Sequence, residues 1–427
     1  MAISRRAFLR VMGGVMVGGN AFGAPAVIHA QTRRGIPAQP LKIGLLAIRT
    51  GVAAPVGAAG QRGVEWWTER VNAAGGILGR KVELVLEEES SPKDTVERFR
   101  KLALQTRVEV VSGGISTAVG LALGPVAEEM EVLWLSWDAT TQKGVEETMP
   151  QPKYSFRSVD NEAEAIGGAL LTIKHFKDIK TIAGINNDYS YGRDCWDAFQ
   201  AVLKRYLPEV KPVLDLWPKL GTTDFTSHIA AIQQAKPDLL MTSFWSGDTT
   251  IFLKQATAVD LFKTMKGCFT TGGGVHDSLK KSFTPVGLIL GYNSMYFNVA
   301  DASPLLKQFV RDYLGKYGEY PPYECDHAYF TVEAYKAAVE KAYKTAGEWP
   351  ATEQIIQALE GIEVEALSGK RSYRADHIMM CNFFQGITTH QNDFDFVTID
   401  PVEVLPTTRI MKPANSKLYE WINSWKL

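Results

Sequence analysis

What the chain lacks narrows its role first. Charge of neither sign dominates: 46 Lys and Arg stand against 47 Asp and Glu, with no basic block beyond the N-terminus. A balanced surface of this kind suits neither nucleic acid nor an anionic membrane as partner. The 4 cysteines, Cys195, Cys268, Cys325 and Cys381, are far apart, with no CxxC and no clustered histidines. No metal site or thioredoxin-type motif is therefore expected; the thiols are either paired, in one of three ways, or buried and free. GxSxG, HExxH and a P-loop are also missing, which removes the usual signatures of serine hydrolases, zinc proteases and phosphate-binding loops. No apolar run beyond Ala30 is long enough to span a bilayer, and no cofactor is expected.

What is present begins at the N-terminus. Ser4-Arg5-Arg6-Ala7-Phe8-Leu9 precedes a mild, glycine-rich apolar stretch from Val11 to about Ala26, with small residues at Ala24, Ala26 and Ala30. Charged, apolar and cleavage regions in that order predict an export signal over residues 1–30, and the Arg pair resembles a twin-arginine signal. An uncleaved anchor is the alternative. A soluble, exported chain starting near Gln31 is expected, and 427 residues suggest two domains.

The pattern that organises the rest is Val108–Thr141. A β-branched run, Val108–Val111, meets Gly113-Gly114, and Ser116-Thr117 then opens a helical stretch to about Met130. A second apolar run, Val132–Leu135, ends in the turn Asp138–Thr141. Unpaired amides and the positive end of the helix dipole at Ser116 and Thr117 favour a carboxylate or other anion. Strand–helix alternation over residues 41–135 restarts after Pro150–Asp160 and runs through Thr181–Ile185, Val213–Trp217, Pro237–Ser243, Gly267–Thr271 and Leu288–Tyr292. Such units predict parallel sheets with helices on both faces, and crevices at the carboxyl ends of the strands.

Six motifs in order carry a resemblance: RTGVAAPVG (49–57), NAAGGILGRKVELVLEEESSP (72–92), the GGIST turn, SWDATT (136–141), NNDYSYG (186–192) and TTDFTSHI (222–229), with PDLLMTS (237–243) also fitting. Over about Leu41–Ile399 the chain resembles the leucine/isoleucine/valine-binding proteins, type I periplasmic solute-binding subunits of ABC importers. The resemblance implies an α/β fold of two Rossmann-like lobes with parallel sheets, joined by a three-segment hinge. Lobe 1 would comprise 41–158 plus 296–348, lobe 2 159–295 plus 349–406, and 407–427 a C-terminal tail. It implies a monomer that captures a small carboxylate solute by lobe closure and delivers it to ABC permease and ATPase subunits at the inner membrane. An exported α/β hydrolase, or a ligand-sensing domain of the same fold, is the alternative.

By that resemblance Ser116, with Thr117, holds the carboxylate, and Asp138-Ala139-Thr140 forms the second contact loop. Tyr191 covers the ligand, or else packs as a turn residue; Trp245 is another covering aromatic or a core residue. The turn Thr271-Gly272-Gly273-Gly274 lacks the acid with which amino-acid-binding members pair the α-ammonium. A buried ammonium without its counter-charge costs several kcal/mol, which tilts the expectation toward an organic or aromatic acid without the amine. Asp138 can serve as a substitute counter-charge, or simply as a turn aspartate. Arg49 is a second candidate for an anion, or a surface arginine. Trp137, Tyr292 and Tyr296 are candidate stacking walls.

Overall fold

In a computed structural model, residues 35–138, 140–158 and 160–426 are described. The export-signal expectation at 1–30 falls outside them, as does Ala139. The first five strands are β1 (Leu41–Ile48), β2 (Val82–Glu89), β3 (Val110–Gly113), β4 (Trp134–Leu135) and β5 (Ser155–Phe156); they alternate with α1 (Ala54–Ala73), α2 (Pro92–Arg100), α3 (Thr117–Met130) and α4 (Gln142–Thr148). They form one parallel sheet in the order β2-β1-β3-β4-β5. After α5 (Asn161–His175), a second series follows: β6 (Thr181–Ile185), α6 (Ser190–Tyr206), β7 (Lys211–Leu216), α7 (Thr226–Ala235), β8 (Leu239–Thr242), α8 (Gly247–Ala258), β9 (Lys266–Phe269) and β10 (Ile289–Gly291).

The chain then runs through α9 (Pro304–Tyr317), α10 (Glu324–Ala346) and α11 (Thr352–Leu359). It continues into β11 (Glu363–Ala366), β12 (Gly369–Tyr373), β13 (Met379–Met380), β14 (Asn382–Thr389), β15 (Thr398–Pro406) and α12 (Leu418–Ser424). Two features depart from the purely parallel expectation. The second sheet, β15-β14-β10-β9-β8-β6-β7, ends in β14 and β15, which join antiparallel. The segment 363–380 forms a small antiparallel sheet of its own. The cysteines resolve in favour of one alternative: all four are free and buried.

Local chemistry explains the element ends. Ser91 accepts the Asp94 amide, with Pro92 in the first helical turn; Ser303 does the same for Leu306 ahead of Pro304, as good N-caps do. Gly318 ends α9 at φ 70, a left-handed position that glycine occupies without strain. β1 is apolar and buried along nearly its whole length, as a central parallel strand must be.

In the first sheet α1 packs with α10, while α2 packs with α3. Strand order reverses at β1, so the loops after β1 and β3 flank a crevice; in the second sheet the order reverses in the same way at β6, which sets the loops after β6 and β8 around a second one.

Candidate functional site

The two crevices face each other. Ile115, Thr117 and Asp138 from the first sheet's loops enclose a cavity with Asn161, Glu164, Tyr189, Tyr191 and Trp245 from the second unit, and Tyr323 just before α10. The free interior is about the size of one water molecule, so this is a shut arrangement that a solute enters only when the halves part. Hydrogen bonds cross between the units. Thr117 donates to Asn161 Oδ1 at 3.1 Å. Thr141 donates to Asp194 at 2.7 Å, and Lys143 Nζ pairs with the same carboxylate at 2.9 Å.

The anion that the α3 N-terminus attracts is supplied by the chain itself. Glu89, at the carboxyl end of β2, accepts the amides of Ile115 and Ser116, each at 2.8 Å. Burial outweighs those two bonds and the Asp138 charge adds to it, pushing Glu89 up to about 7. The start of α4 repeats the device: Glu162 accepts the amides of Gln142 and Lys143 and is pushed up to about 8, chiefly by burial. A helix N-terminus favours an acid there, and both acids come from distant elements. Glu87-Glu88-Glu89, three acids closing a parallel strand, was the signal in the sequence.

The expected site residues divide as follows. Asp138, Thr117, Tyr191 and Trp245 line the cavity. Ser116 is half-buried, and its hydroxyl makes no capping bond. Thr140 Oγ1 is buried without a hydrogen-bond partner. Gly273 instead packs under the Gly291 carbonyl and the Tyr292 ring, and Arg49 is exposed; neither lines the cavity. Trp137, Tyr292 and Tyr296 are not walls of it either. Trp137 donates to Ser112 Oγ at 2.7 Å and lies over Gly60, while the two tyrosines pack on each other.

Acids dominate the surroundings. Asp138 receives only long contacts, 3.5 Å each, from Ser158 and Asn161, and burial pushes it up to about 7. Glu164 is held by Asn293 and, at 3.2 Å, by the Tyr191 hydroxyl; burial and the Asp138 charge raise it well above the carboxylate range. Glu324, at the first turn of α10, is 1% exposed, and neither oxygen closes a hydrogen bond. The Tyr323 hydroxyl and Glu324's own amide lie close enough to act on its charge, without bonding geometry, and burial raises it strongly. Its Oε1 stands 2.7 Å from where a Gly274 side chain would begin. The acid missing from the 271–274 turn thus has a replacement, delivered into the same space by another element. Nothing in the spacing of Glu324 from that turn announced it.

Among the described residues no Lys or Arg lines the cavity. His327 Nδ1 lies 3.7 Å from Asp138, but burial lowers it to about 4, so it is neutral and contacts Asn293 through Nε2 at 3.1 Å. Tyr189 accepts the Trp245 indole N–H at 3.0 Å, completing an aromatic wall with Tyr191 and Tyr323.

Two facing α/β units whose switch-point loops meet in one shared cavity define the architecture of a solute-binding protein. Comparison bears this out. Residues 40–387 match the family model described as periplasmic binding protein. A Leu/Ile/Val-binding protein, BraC3, of Rhizobium johnstonii is 26% identical over 337 residues, 78% of this chain and 87% of the relative. Among solved structures, an ABC-transporter solute-binding protein of Rhodopseudomonas palustris BisB5 in complex with 3,4-dihydroxybenzoic acid superposes with TM-score 0.71 at 22% identity, covering 84% of this chain and 96% of that one. LivJ of Streptococcus pneumoniae in complex with isoleucine gives 0.68 at 19%, covering 86% and 100%. The chain belongs to the periplasmic binding protein family.

Proposed function

We propose that this protein is the solute-capturing subunit of an ABC importer, acting as a monomer in the periplasm and handing its cargo to permease and ATPase subunits. One observation carries the reading: side chains from the carboxyl ends of two separate sheets meet in a single enclosed cavity. Residues 41–158 with 296–348, and 159–295 with 349–406, act as the two lobes. The ligand set is Ser116, Thr117, Asp138, Ala139, Thr140, Tyr191 and Trp245, extended by Glu164, Tyr189, Tyr323 and Glu324. A solute carboxylate meets the uncapped Ser116 hydroxyl, since the Ile115 and Ser116 amides already serve Glu89.

Capture shifts a population from open to closed and breaks no covalent bond. The relatives' names speak of branched-chain amino acids and hydroxybenzoates, which supports a small carboxylate-bearing solute. The test is small-angle scattering of the mature protein across a solute panel. Contraction on binding is expected; a solute that binds tightly without contraction overturns the closure mechanism. Twin-arginine export is supported by Arg5-Arg6, and exchanging both for lysine should leave the protein in the cytoplasm.

A further inference from the structure

We infer that the solute occupies this site with a net positive charge: an organic ammonium compound whose cationic groups outnumber any carboxylate. The inference rests on the capture reading above and deepens it. Asp138 and Glu164 line the cavity, and the buried carboxyls of Glu89 and Glu324 stand near enough to feel the Asp138 charge. Glu89 is satisfied by two amides, and Glu164 by Asn293 and Tyr191. Asp138 and Glu324 are left without a strong partner, Glu324 with none.

Among the described residues the buried cations are committed elsewhere. Arg80 pairs with Glu109 at 2.5 Å, Arg157 with Asp160 at 2.9 Å, Arg371 with Asp326 at 3.0 Å, and Lys412 is held by the carbonyls of Pro413 and Ala414. His327 is neutral. A buried acid without a counter-charge keeps its proton. Each ammonium group brought beside Asp138 and Glu164 in the lining, or Glu324 next to it, favours the ionised form, so a solute with more than one positive charge gains most. An ordinary zwitterion brings a single ammonium and adds a carboxylate. A benzoate brings only another negative charge, to a place with no cation to receive it. The walls agree: Tyr189, Tyr191, Trp245 and Tyr323 present aromatic surface around the acids, the lining that favours alkyl- or arylammonium groups.

The experiment is a charge series on the mature, full-length protein at about pH 8: benzoate, leucine, lysine, butylammonium and cadaverine, read by thermal shift, calorimetry and small-angle scattering. Affinity should rise with net charge, benzoate weakest and cadaverine tightest. Asp138→Asn and Glu324→Gln should each weaken butylammonium at least about tenfold while leaving the ligand-free melting temperature unchanged or higher. Glu324 has no hydrogen bond to lose, so its variant keeps the test usable if Asp138→Asn fails to fold. Benzoate or leucine binding as tightly as the amines, or no amine binding at about 10 mM, overturns the charge assignment. Contraction by leucine or benzoate but not by amines sinks that assignment and leaves capture standing; contraction by no probe sinks both.

Discussion

Glu89→Gln is the sharpest test of how the first lobe's helix start is built. The carboxyl accepts two amides at 2.8 Å each and is 1% exposed. Glutamine keeps the shape but turns an NH2 toward one of those amides. Against the ionised carboxyl, one bond is lost and a buried N–H is left unpaired, a cost of about 1–3 kcal/mol. An opposing effect depends on pH. In the unfolded chain Glu89 ionises near its ordinary 4.5; folded, it holds its proton up to about 7. Between those values the folded state binds more protons than the unfolded one, so wild-type stability falls as pH rises. The difference, 7 minus 4.5 at 1.36 kcal/mol per unit, is about 3 kcal/mol, lost in full above pH ~7. Glutamine has no such slope. At pH ~4.5 the protonated wild-type carboxyl, like glutamine, has one good acceptor for the two amides, so the two proteins should be close there, and the variant should be the more stable near pH ~8. Urea unfolding of both proteins at the two pH values reads the difference, in which the other titrations largely cancel. A wild-type-minus-variant gap that moves by less than about 1 kcal/mol would refute the argument.

Three further outcomes follow from other contacts. Asp194→Ala removes the acceptor of Thr141 and Lys143 that bridges the lobes; since only the closed form makes these contacts, solute affinity should drop about tenfold, measured by calorimetry, with little change in the open form's scattering profile. Gly274→Ala places a methyl against Glu324 Oε1, the mobile end of its side chain; the carboxyl should swing away, weakening amine binding at least about threefold with an unchanged melting temperature, whereas unaltered amine affinity would remove Glu324 from the site. The four thiols are buried and free, and burial pushes Cys268 and Cys381 up to about 12; an aromatic disulfide reagent should label none in the native protein and all four in urea, and reductant should leave the melting temperature where it is.

Much of this architecture was legible because its physics is local. The Val108–Val111 run, the glycine pair and the Ser-Thr start of α3 are strand, turn and helix signals within a single stretch of chain, and they stand where expected. The α helix from Pro92 to Arg100 passes into a wider π-type turn over Lys101–Thr106, a change in hydrogen-bond register that side-chain periodicity does not encode. The 363–380 sheet is built from strands of two to five residues, too short for their alternation to name the neighbours they pair with. At the site, loop residues such as Asp138, Tyr191 and Trp245 could be read from the turns that carry them. Glu89 had only the acidic end of its strand as a signal, and Glu164 and Glu324 had none. Each is an acid on a regular element whose importance comes from non-local burial: Glu324 meets Gly274 across 50 residues of sequence.

Glu324 sits at the head of α10, a rod that packs along α1 in one lobe, while its carboxyl presses toward Gly274 in the other. Acids that burial keeps protonated in a shut, empty cleft regain their hydration and their charge when water returns, which favours the open form. The resting molecule would therefore gape, and only cargo of the right sign would hold it shut. A transporter at the membrane that docks the shut form would then meet few empty deliveries, and would spend little ATP on them.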